Sequence, residues 1–165
     1  MVRTLPGTFL IWRLMESAEF RLKPRRADLW EFLPAFPLLC LTGFLCSLAS
    51  SGLPAAPPAL PAGPGQWPAV IVLCMGAGYL EESYFRLYLL SRFTAGGLGP
   101  WKSLFLSTLL FALCHVYEGP WGVLNAAAAG LILSLIFLRR KSIHGIAWAH
   151  GLYNTAVYVT AALPG

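Results

Sequence analysis

The chain has 165 residues, is 57% hydrophobic and only 12% charged, and carries a formal net charge of +5. Soluble domains usually hold about 25% charged residues, so the composition excludes an ordinary water-soluble fold and argues for an integral membrane protein. The positive charge does not mark a nucleic-acid binder. The basic residues flank apolar runs, as membrane topology requires, and do not interleave with aromatics in the manner of base-stacking proteins.

Residues 1–31 carry Arg3, Arg13, Arg21, Lys23, Arg25 and Arg26 around a short apolar patch, Phe9-Leu10-Ile11-Trp12. The patch is too short to span a bilayer, so the segment reads as an interfacial amphipathic helix. A secretory signal is the rival reading. Glu16, Glu19, Asp28 and Glu31 in that charged region argue instead for a retained segment. Residues 32–165 read as one membrane-embedded unit. Its first span is expected from about Phe32 to Leu53. A stiff, charge-free loop rich in Pro and Gly follows over 52–68.

A second span is expected from Pro68 to Phe93, a third from Trp101 to Tyr117, a fourth from Trp121 to Leu138 and a fifth from Ile143 to Leu163. The run Ala126-Ala127-Ala128-Ala129-Gly130 in the fourth permits close helix contact. With a cytoplasmic N-terminus, Arg92, Lys102, Arg139, Arg140 and Lys141 all fall at the inner face, in accord with the positive-inside rule. The expected fold is therefore an all-α, polytopic bundle of about five spans in the cell (inner) membrane. Cys40, Cys46, Cys74 and Cys114 have no metal-ligand spacing and read as reduced packing residues.

The second span contains Glu81, Glu82 and Arg86. Charges at membrane depth cost roughly 2.5–3.5 kcal/mol each on insertion scales and are usually functional. Glu82 and Arg86 are i,i+4 and can pair on one helix face. Glu81 points elsewhere without a local counter-charge, which suits a proton-transfer group. A purely structural ion network is the plain alternative. Phe111 and His115 lie one turn apart in the third span, and His150 and Asn154 one turn apart in the fifth. Polar groups in lipid turn inward and find one another, so Glu81, His115, His150 and Asn154 are expected to share one buried site. His144, beside the basic turn, reads as a solvated surface residue.

Glu81-Glu82-x-x-x-Arg86, Phe111-x-x-x-His115 and His150-x-x-x-Asn154, in that order, resemble the three motifs of the CPBP family. These glutamic intramembrane proteases include the type II CAAX prenyl endopeptidases and bacteriocin-processing relatives. The resemblance covers residues 68–160 and is to a minimal bacterial-type member. It implies an endopeptidase in which Glu81 activates water and His115 helps hold it. His150 and Asn154 then donate to the oxyanion, while Glu82, Arg86 and Phe111 support the site. It implies no metal cofactor. A zinc site of Glu81, His115 and His150 is the chemical alternative. Expected partners are the bilayer and a membrane-associated protein or peptide substrate, with processing of C-terminal anchoring tails and peptide maturation as the two tasks in view. A bacteriocin-immunity protein or proton-pathway subunit is the non-catalytic alternative.

Overall fold

The computed structural model describes residues 24–51 and 59–163. The amphipathic segment expected at the N-terminus therefore lies largely outside the described residues, as does the first part of the Pro-rich loop, 52–58. What is described is all-helical. A 3-10 turn, Arg26–Asp28, leads into α1, Leu29–Ala49. The next element, α2, has three parts: α-helix over Trp67–Glu82, π-helix over Ser83–Leu90 and α-helix again over Ser91–Ala95. Then come α3, Pro100–Leu113, α4, Gly119–Arg140, and α5, His144–Ala161.

Local chemistry explains the boundaries. Pro100 opens α3 at its first turn, where its missing N–H costs nothing. Gly119, at φ 80°, supplies the reversal before α4. Lys141 ends α4 in the left-handed region at φ 58°, and Arg139 and Arg140 in the last turn complement the helix dipole. Pro34 and Pro37 sit inside α1 without ending it, as membrane helices tolerate.

Two expectations are corrected here. The third helix ends at Leu113 rather than Tyr117, so His115 stands in the turn between α3 and α4. The second is not uniformly α-helical but widens into a π-helix directly after Glu82. A π-helix displaces carbonyls from the ordinary ladder, and hydroxyls meet several of them. Ser107 Oγ, from α3, donates to the Phe85 carbonyl at 2.6 Å. Ser91 Oγ donates to the Arg86 carbonyl at 3.4 Å. Neither serine carried any signal in sequence beyond being polar in an apolar run.

The helices close into a ring. α1 packs on α5, α5 on the Trp67–Glu82 part of α2, the π-helical part on α3, α3 on α4, and α4 back on α1. The main apolar core joins Ala35 and Leu39 of α1, Leu87 and Leu90 of α2, Leu133 and Phe137 of α4, and Ile146 and Ala149 of α5. Outward positions are also apolar: Phe44, Leu48, Val72, Leu73 and Phe105 are exposed. Inside lie Glu82, Arg86, Ser107, Ser134, His144 and His150, all buried. This inversion of the soluble pattern is what a lipid solvent selects. Among the described residues, two helical stretches, Arg26–Ala49 and Val116–Arg140, are long and apolar enough to cross a membrane.

Candidate active site

The site begins with a helix crossing that only glycine permits. A Cβ on Gly78 would lie 2.8 Å from both the Ala147 carbonyl oxygen and the Gly151 nitrogen. A Cβ on Gly151 would lie 2.6 Å from Met75 Sδ and 2.8 Å from Met75 Cα. Backbone therefore meets backbone where α2 crosses α5. Gly78 is one turn before Glu82, and Gly151 adjoins His150, so the crossing delivers the imidazole to the glutamates.

His150 is buried and bridges them. Its Nδ1–H donates to Glu82 Oε1 at 2.8 Å, and its Nε2 lies 3.7 Å from Glu81 Oε2. The same Glu82 oxygen accepts from Arg86 Nη1 at 2.9 Å, with both side chains fully buried. Arg86 Nη2 donates to the Gly130 carbonyl at 3.2 Å. The guanidinium carbon also stands 4.4 Å from the centroid of the Phe111 ring. Gly130 makes room for this, since a Cβ there would lie 3.1 Å from Phe111 Cδ1 and 3.5 Å from Arg86 Nη2. The small-residue run of α4 thus serves the site as well as the packing.

The sequence pattern paired Glu82 with Arg86 as support for the site and did not count them among the four residues expected to share it. The structure differs: Glu82 is bonded directly to His150 and belongs to the centre of the cluster. Helical spacing shows which residues share a face of α2. It does not show that α5 brings a donor to that face.

Glu81 is the more open acid. Its side chain is 30% exposed, and its Oε2 is buried without a hydrogen-bond partner. His115 is half-buried. Its Nδ1–H donates to the Phe111 carbonyl at 2.8 Å, which in the neutral ring leaves the lone pair on Nε2. Phe111 is the common neighbour, with ring centroids 4.6 Å from His115 and 5.9 Å from His150. Glu81 and His115 make no ion pair with each other among the described residues. Asn154 is half-buried one turn beyond His150 on α5. Among the described residues no group of three His, Cys, Asp or Glu side chains could hold a metal ion.

His144 is corrected outright. It is buried at the start of α5, with Nδ1 3.1 Å from the Tyr79 hydroxyl. The basic turn before it suggested solvent, but its own helix turns it inward against α2. A second pairing had no sequence signal: Asn125 of α4 donates through Nδ2 to the Tyr153 hydroxyl of α5 at 2.9 Å.

The model of the Rce1-like family, described as type II CAAX prenyl endopeptidase Rce1-like, matches residues 63–156. That is more than half of the chain and contains every residue of the three motifs. The chain belongs to this family, which is a protease family, and its apolar helices together with that membership mark a membrane protein. No curated protein and no solved structure matches it.

Proposed function

We infer that the chain is an intramembrane endopeptidase of five spans, with its N-terminus in the cytoplasm, which hydrolyses a peptide bond through a glutamate-activated water. The observation that carries this reading is the division of labour between the two acids. Glu82 is fully buried and its Oε1 is held by both Arg86 and His150, whereas Glu81 makes no such bond, is 30% exposed and keeps an oxygen without a hydrogen-bond partner beside the His150 imidazole.

In this mechanism Glu81 takes one proton from water, whose oxygen forms a bond to the substrate carbonyl carbon. His115 Nε2 accepts from the same water and orients it. The charge that develops on the carbonyl oxygen is met by His150 Nε2–H and the Asn154 carboxamide, donors of the kind worth about 2.7–4 kcal/mol each in comparable sites. As the C–N bond breaks, Glu81 passes its proton to the leaving nitrogen. For His150 to donate at Nε2 while Nδ1–H is held by Glu82, the ring carries both protons. Two carboxylates then face one guanidinium and one imidazolium, and the cluster is neutral, as a poorly hydrated interior demands.

No metal takes part in this scheme. The substrate reaches the site through lipid, as a transmembrane segment or a lipidated C-terminus. The test is cleavage in proteoliposomes of quenched fluorescent peptides bearing an apolar anchoring tail, with or without a prenyl group, in the presence of a chelator. Cleavage by wild type and none by Glu81→Gln supports the reading. Activity lost to the chelator and restored by zinc would replace the carboxylate scheme with a metal one. An inactive wild type would favour a non-catalytic membrane role.

A further inference from the structure

α1 lies outside the residues that match the family, yet it touches the helix of His150 at two places. The first is the start of α5. A Cβ on Gly145 would overlap the Asp28 carbonyl oxygen, and would lie 2.6 Å from Glu31 Cβ and 3.0 Å from the Phe32 nitrogen. Ser142 Oγ, just before the helix, donates to Asp28 Oδ1 at 2.9 Å. The second is two turns further on. A Cβ on Gly43 would overlap the Tyr153 hydroxyl and would lie 2.9 Å from Tyr153 Cε2. The same hydroxyl is fixed from the third side by Asn125 of α4.

Gly145 and Tyr153 are eight residues apart along α5, about 12 Å at 1.5 Å per residue. His150 lies between them. Between the two grips the contact is apolar and closed: Ala35 and Leu39 of α1 and Ile146 and Ala149 of α5 have no exposed surface. The stripe Glu31, Ala35, Leu39 recurs every four residues along α1, the ridge spacing that fits a neighbouring helix. At its outer side α2 meets α5 by the backbone crossing already described. α5 can then neither slide nor rotate without breaking a glycine contact on one side or the other.

We propose that α1 is a positioning element of the active site rather than a membrane anchor, and that its two grips on α5 set the height and rotation at which His150 meets Glu82 and Glu81. Gly43 and Gly145 are the positioning residues. The inference rests on the peptidase reading only for its kinetic arm. Placement of His150 has a readout of its own.

The chain has three histidines, so the side-chain NMR spectrum of 15N-histidine-labelled protein in detergent micelles is simple enough to follow each ring. Gly43→Ala and Gly145→Ala should each move or broaden the signal of the His150 Nδ1–H held by Glu82, and leave the His115 signal in place. On the fluorescent peptide that wild type cleaves, each should lower kcat by up to about 10²-fold, the scale of a displacement of about 1 Å remote from the chemistry, with KM nearly unchanged. Pairing Gly43→Ala with Tyr153→Leu, which vacates the space, should restore part of the loss. Phe44→Ala, on the exposed face of α1, is the control and should change neither readout. Should Gly43→Ala fold poorly, Gly145→Ala and the paired variant still decide. An unmoved His150 signal and an unchanged kcat in folded Gly43→Ala and Gly145→Ala would make α1 an anchor and overturn the proposal. A wild type that cleaves nothing would sink the peptidase reading alone, since the spectrum would still decide whether α1 places His150.

Discussion

His115 closes its motif and His150 opens its own, and the two are held by different physics. His150 sits within α5, buried, with one nitrogen bonded to an acid on another helix and the other facing a second acid. His115 stands beyond the end of α3, half-buried, and its ring donates to the carbonyl one turn back in its own chain. The first is positioned by tertiary contacts and the second by local backbone. A side chain held by its neighbours supports them in turn, whereas one held by its own turn can be removed at little structural cost. The difference separates the two histidines in stability even where both are needed for activity.

The largest effect should come from the acid through which both act. Glu81→Gln should lower the cleavage rate by about 10²–10⁴, the contribution of a positioned acid–base group, with the thermal unfolding midpoint little changed. Adding His115→Ala to it should cost almost nothing further, because residues that act as a unit are not additive. An additive loss would separate His115 from Glu81.

Arg86→Ala strikes the His150 side through Glu82 and also takes the cation from the face of Phe111. It strips a fully buried acid of its cation, a loss of about 3–5 kcal/mol for broken buried pairs, visible as low yield and a depressed unfolding midpoint. The charge-swapped pair Glu82→Arg with Arg86→Glu should not recover it, since Glu82 also holds His150. Recovery would show that the ion pair matters and the imidazole bond does not.

Placed side by side, His150→Ala should lose both activity and about 1–3 kcal/mol of stability, because Glu82 keeps one partner fewer. His115→Ala should lose activity with an unfolding curve like that of wild type. Equal unfolding curves would dissolve the distinction between the two histidines. The smallest effect is expected at Ser107→Ala, which takes the hydroxyl from the Phe85 carbonyl. It should cost about 1 kcal/mol, the usual net worth of such a bond, and leave the peptide-cleavage rate unchanged.

Much of the helical fold was legible because apolar runs and Gly-Pro breaks mark helices directly. The helix order and the place of the first and third motifs on it follow from those signals, whereas His115 falls in the turn after α3. What escaped was whatever depends on a partner helix. The i,i+4 rule paired Glu82 with Arg86, but nothing within α2 announced His150 as the second partner. His144 was misjudged because Arg139, Arg140 and Lys141 precede it, and a basic turn says nothing about the rotation of the helix that follows. Gly78 and Gly151 offered a usable clue, each lying within one turn of a motif residue, as a close backbone approach beside a site would require. The π-helix had no such clue, since apart from Arg86 the stretch Ser83–Leu90 is a largely apolar run, and it packs on α3 and α4.

The widened stretch of α2 also decides where the chain can change length. In a regular α-helix, losing one residue turns every later side chain by about 100°, which here would strip the core of Leu87 and Leu90 or the site of Glu82, according to where the loss fell. Within Ser83–Leu90 a shortened chain has an α-helical ladder waiting for it, and the strain of one missing residue is taken up by tightening rather than by rotation. Sequence length in α2 is therefore negotiable at one place, in the π-helical stretch beyond Arg86, where the register of the Glu82–Arg86 pair is already set.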